Sequence, residues 1–107
     1  MKYLKYFENN NDMQVGDYVI CAYKYTYDSS NNIKNLANFI KNNIGIIIKY
    51  DDQDILIKYD NVPDNIKMFF NGKDLNIRSL IDTKSILAFG KTIEELEIKL
   101  AANKYNL

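Results

Sequence analysis

The sequence predicts a mainly β fold: a small barrel of five short strands, with a helix at its C-terminal end. Three observations lead there. Residues 15–27 carry a strand run that ends in tyrosine at every second position. Two further strand patterns flank the polar stretch Asp51-Asp52-Gln53-Asp54. A capped amphipathic pattern, "TIEELEIKLAA", follows the last strand. Strands with period two and a helix with period 3.6 are told apart by their apolar spacing. At 107 residues the chain suits one domain. We place an N-terminal segment at 1–13 and a single barrel unit at 14–107.

Leu4 and Phe7 stand three apart in "MKYLKYFE", the spacing of one face of a short helix, and "NNND" then breaks it. The strand run opens with Gly16-Asp17. Val19, Cys21, Tyr23, Tyr25 and Tyr27 fall on one face, and Tyr18, Ile20, Ala22, Lys24 and Thr26 on the other. "DSSNN" is a turn cluster. Ile33, Leu36, Ala37 and Ile40 then repeat at helical spacing, with Phe39 beside them. Residues 44–50 and 55–60 read as an antiparallel hairpin with one dry face. Ile46, Ile48 and Tyr50 would share that face with Ile55, Ile57 and Tyr59, leaving Lys49 and Lys58 opposite. Pro63 lies just past the second strand, where no ladder bond is lost. Asn71-Gly72 is the strongest short hairpin signal in the chain. "SILAFG" supplies the last strand. Thr92 and Glu95 form a capping box ahead of the apolar stripe Ile93, Leu96, Leu100 and Ala101. Five strands, a long connection over 23–43 and a terminal helix suggest an SH3-like barrel, with an OB-like barrel as the alternative.

Composition narrows the chemistry. Fourteen basic and fourteen acidic residues cancel, and neither half of the chain is strongly charged. Affinity for nucleic acid draws on Lys and Arg at phosphates, so a neutral chain is a weak candidate. Cys21 is the single cysteine. It excludes an intrachain disulfide, reads as a small buried hydrophobe, and fits a reducing cytoplasm. The start has neither the apolar core nor the cleavage site of a secretory signal, and no run approaches the ~20 apolar residues of a membrane span. The chain holds fifteen Asn, fifteen Ile, nine Tyr and thirteen Lys against one Arg, a bias toward A/T-rich codons.

With no histidine, nucleophilic and acid–base catalysis lose their usual partner, and zinc its commonest ligand after cysteine. Asp51, Asp52, Asp54 and Asp60 fail the calcium-loop pattern, because counting from Asp52 places Leu56 and Ile57 at the fifth and sixth positions. They read as a solvated hairpin tip. The four glycines are scattered and make no phosphate loop. We expect no enzyme activity, no metal and no cofactor. The tyrosine row has two readings, a core wall or an aromatic groove for a peptide or a base. Tyr23 belongs to the wall, and Tyr25 and Tyr27 approach the exposed turn.

The ordered set "MKYLKYFEN", "VGDYVIC", "NNIGIIIKY", "IKYDNVPDNI" and "FGKTIEELEIKLAANKYNL" resembles a group of small phage-encoded proteins with A/T-rich genes, across nearly the whole chain. The resemblance implies an SH3-like barrel. "MKYLKYFE" is separately similar to the N-terminal capsid-targeting peptides of T4-like phages. Their cleavage favours Leu or Ile two residues before the Glu, and Tyr6 stands there before Glu8. Targeting and simple packing of Leu4 and Phe7 both remain open for this segment. The expectation is a non-enzymatic phage accessory protein that binds a protein partner, from the host or the virion. It would act in the host cytoplasm or packaged in the particle. Tyr25, Tyr27, Lys24 and Phe39 are the expected contact residues. The alternative is a nucleic-acid-binding domain in which Lys24, Lys34, Lys41, Lys49 and Lys58 converge.

Overall fold

Gly16 adopts φ 97°, a left-handed conformation that costs glycine nothing. The Asp17 N–H donates to the Gln14 carbonyl at 3.0 Å, and the Gln14 N–H donates to Asp17 Oδ2 at 2.9 Å. This turn feeds the chain into its first strand. The computed structural model describes residues 13–23, 31–80 and 83–105. In order these form β1 (Tyr18–Cys21), α1 (Asn31–Asn42), β2 (Gly45–Tyr50), β3 (Ile55–Lys58), a 3₁₀ turn (Asp64–Phe69), β4 (Ile77–Leu80), a second 3₁₀ turn (Thr83–Ser85), β5 (Ile86–Gly90) and α2 (Ile93–Tyr105).

The strands make one antiparallel sheet in the order β4-β3-β2-β1-β5. β1 lies between β2 and β5 and is covered on both faces, so Val19, Ile20 and Cys21 are all buried. Val19 and Cys21 join the main core with Leu36 and Ile40 of α1. Ile20 packs on the other side with Ala88 and Leu96, under α2. A strand buried on both faces needs no polar alternation, and "YVIC" has none.

The fold is therefore mainly β with a C-terminal helix, as expected, but the sheet does not close into a barrel. Closure would bury the concave face against strand side chains. Here α1 and the Asp64–Phe69 turn fill that face instead, through Leu36, Ile40, Ile66 and Phe70. The two outer strands, β4 and β5, stay apart.

Three local expectations change. The dry face of β2 carries Ile47 and Tyr50, not Ile46, Ile48 and Tyr50. The cause is a bulge: Ile47 pairs with Ile57 and Lys49 with Leu56, leaving Ile48 over. One extra residue shifts the period by one. On β3 the predicted set Ile55, Ile57 and Tyr59 is buried. Asn71-Gly72 does turn the chain, with Gly72 at φ 91°. The loop is wider than two residues, however, because Asn71 bridges to Ile77 and a second positive φ falls on Leu75. In α2 Thr92 caps the helix, with the Glu95 N–H donating to Thr92 Oγ1 at 3.3 Å, and the Glu95 carboxylate returns to the Thr92 hydroxyl at 3.4 Å rather than to its backbone N–H. Of its expected stripe, Leu96 is buried and Leu100 half-buried, while Ile93 and Ala101 are exposed. The helix packs on the face of the sheet over β1 and β5 alone, so only a thin stripe of it is covered.

Candidate functional site

Where β4 and β5 fail to meet, the sheet leaves a cleft of about 560 Å³. Its floor is Cys21, Ile57 and Tyr59. Arg78 and Leu80 of β4 form one wall, and Ser85 and Leu87 the other. A smaller groove of about 280 Å³ continues from it past Ala22, Tyr23 and Leu87 to Lys41 of α1.

Arg78 is the unexpected member. It pairs with Ile57 across the β3–β4 ladder, so its side chain stands on the apolar, concave face of the sheet. Burying a guanidinium requires partners. Some are present: Nη1 donates to the Phe69 carbonyl at 2.9 Å, and the cation lies 5.3 Å from the Tyr23 ring centre and 5.8 Å from that of Phe70. These contacts hold the plane of the fork. Nε is buried and has no hydrogen-bond partner among the described residues. Among the described residues, no carboxylate forms a salt bridge with Arg78.

The floor is chemically quiet. The Tyr59 hydroxyl donates to the Cys21 sulfur. Burial pushes the Cys21 thiol from its ordinary 9.0 to about 11, against the weaker lowering effects of that hydrogen bond and of Arg78. Burial, then Cys21, holds Tyr59 well above its ordinary 10.0. Both protons stay in place at neutral pH, so Cys21 is no nucleophile there. The cleft offers apolar walls, one oriented cation and the outer edge of a strand. That equipment suits binding.

Of the expected contact residues, Phe39 is half-buried on α1. Its ring meets Tyr59 at 5.6 Å and Phe70 at 6.1 Å, edge to face, which places it in the core behind the cleft. Lys24, Tyr25 and Tyr27 lie outside the described residues. Tyr23 is half-buried, packed on the core and stacked with Arg78. Of the lysines proposed to converge, the four described ones do not share one surface. Lys34 and Lys41 belong to α1, whereas Lys58 is on the sheet face opposite Ile57, and Lys49 is engaged by Asp51 and Asp54 at 3.6 and 3.4 Å. No group of three or more His, Cys, Asp or Glu side chains arranged to hold a metal occurs among the described residues. No helix among them is long and apolar enough to cross a membrane. Sequence reasoning missed Arg78, Leu80 and Leu87. The signal was there for Arg78: one arginine against thirteen lysines, with Ile77 on one side and Leu80 two residues beyond.

No protein-family model matches the chain, and neither a curated protein nor a solved structure shows significant similarity to it.

Proposed function

We propose that this chain is a protein-binding module, a non-enzymatic phage accessory protein acting on a host or virion partner. The observation that carries the reading is the gap between β4 and β5. An exposed strand edge beside an apolar, aromatic-walled groove is the equipment for receiving an extended peptide. The cleft supplies this with Leu80 and Leu87 on its walls and Tyr23 in its lining. The strand order supports an SH3-like origin, since it is the ring order of a five-stranded barrel opened between its fourth and fifth strands. The sequence resemblance to small phage proteins points to the host cytoplasm or the particle as the place of action.

The test is a pull-down of the tagged chain from infected-cell lysate, with and without nuclease, read by mass spectrometry. A Leu87→Arg variant serves as control, since Leu87 is 42% exposed and borders both grooves. A partner that persists after nuclease and is lost with Leu87→Arg supports the reading. Enrichment that disappears with nuclease sinks it.

A further inference from the structure

We infer that the occupant of this cleft is an extended acidic peptide, laid along the outer edge of β4 with one carboxylate seated on Arg78. The inference rests on the protein-binding reading and adds the chemistry of the partner.

The first support is the strand edge. Ile77 exchanges both backbone hydrogen bonds with Asn71, at 2.7 and 3.0 Å, on the side of β4 away from β3. Backbone groups alternate sides along an antiparallel strand. The N–H and C=O of Ser79 therefore point to that same outer side, while Arg78 and Leu80 pair inward with Ile57 and Ile55. Ser79 is exposed, so its edge groups stand ready for an incoming strand.

The second support is charge. Arg78 lines the main cleft and Lys41 its extension, and among the described residues no aspartate or glutamate lines either. Arg78 is stacked and tethered, so its fork is fixed before a ligand arrives, and its buried Nε has no partner among the described residues. A carboxylate is the planar, two-oxygen acceptor that matches a guanidinium fork. A residue facing Arg78 on an added strand would have its Cβ within about 5.5 Å, close enough for an Asp or Glu to reach.

An inward-pointing charge on an edge strand also has a protective role, because it discourages pairing with an apolar strand. Here both effects work together. Arg78 rejects a strand that offers it an apolar residue and accepts one that offers a carboxylate, which is how attraction and rejection combine into specificity.

The experiment is a selection from a display library of random heptapeptides on the intact, full-length chain. The best binder is then synthesised with its acidic residue and with the matching amide, and both are measured by fluorescence anisotropy. Enriched peptides should share Asp or Glu at one fixed position. The amide form should bind wild type about tenfold more weakly, as expected for losing a charged hydrogen bond. Arg78→Met should bind both forms equally. Ser79→Pro, which removes an outward N–H without breaking a bond to β3, should abolish binding while urea unfolding stays cooperative. Should Arg78→Met fail to fold, the acid–amide pair on wild type and the Ser79→Pro variant decide the matter. Enriched peptides without an acidic position, or an acid preference that survives Arg78→Met, overturn the inference and leave protein binding intact. A library that yields no binder, while a 12-nucleotide single-stranded DNA binds with steep salt dependence, overturns both.

Discussion

Lys91 Nζ lies 2.8 Å from Asp17 Oδ1, joining the entry of β1 to the entry of α2 across seventy-four positions of sequence. The pair is lopsided. The Asp17 side chain is 4% exposed and that of Lys91 60%. Asp17 also accepts the Gln14 N–H, and its own carbonyl accepts the Ile47 N–H at 2.9 Å. One carboxylate therefore fixes a turn and ties the edge strand β5 to its neighbour β1, through the residue that follows β5.

Asp17→Ala should destabilise the chain by about 2 kcal/mol, because a turn donor and an ammonium both lose their acceptor. Lys91→Met should cost about 1 kcal/mol, nearer the value of a surface pair. Urea unfolding followed by circular dichroism measures both. Equal losses would mean that the turn contributes nothing beyond the ion pair.

Gly45 is required by close packing. A Cβ placed there would collide with Ile57 and come within 3.1 Å of the Tyr59 ring. Gly45→Ala should therefore cost about 2 kcal/mol, the usual scale of overpacking in a tight core. Combining it with Ile57→Ala should recover part of that loss. The two substitutions would then be coupled by about 1 kcal/mol in a double-mutant cycle; simple additivity would place the clash elsewhere.

The sequence was readable where period and turn chemistry agree. Thr92 and Glu95 marked the start of α2, Ile33, Leu36 and Ile40 marked the buried side of α1, and Ile55, Ile57 and Tyr59 marked the dry face of β3. It was not readable where one residue breaks the period. The bulge at Ile48 leaves no trace in "IGIIIKY", because Ile46, Ile47 and Ile48 are identical and any of them could turn inward. Barrel closure was equally hidden. Whether β4 meets β5 depends on what fills the concave face, and Leu36, Ile40 and Phe70 come from segments far apart in the chain. The cleft went unseen for the same reason: its walls are brought together by the sheet order alone, and Arg78 passed as a compositional detail.

Cys21 should resist alkylation in the folded chain. With its thiol raised to about 11, iodoacetamide at pH 8 should modify it at least 100-fold more slowly than in urea, since reactivity follows the thiolate. The same shift links to stability. An unfolded thiol ionises from about 9 upward, whereas the folded one holds its proton to about 11. Its contribution is thus complete below pH 9 and is lost as pH rises toward 11, by roughly 2–3 kcal/mol. Tyr59 acts with the same sign, because its folded value is also raised. Stability measured from pH 7 to 11 should fall more steeply in wild type than in Cys21→Ala. Parallel curves would show that the thiol takes no part.

Arg78 sets stability against binding. Its guanidinium gains one carbonyl acceptor and two aromatic faces, yet it stands on an apolar sheet face with Nε unpaired. Replacing an incompletely satisfied charge by an apolar side chain of similar length is often neutral or stabilising. Arg78→Met should accordingly unfold within about 1 kcal/mol of wild type in urea, and Leu80→Ala on the same strand should lose about 2 kcal/mol by vacating packed volume. A loss above about 3 kcal/mol for Arg78→Met would mean that the arginine is a structural clamp holding Phe69 and Phe70 in place. A near-neutral result would leave the residue without a stabilising reason to be charged, and binding and the rejection of apolar strands would be the physical accounts of why the chain's one arginine stands at that position.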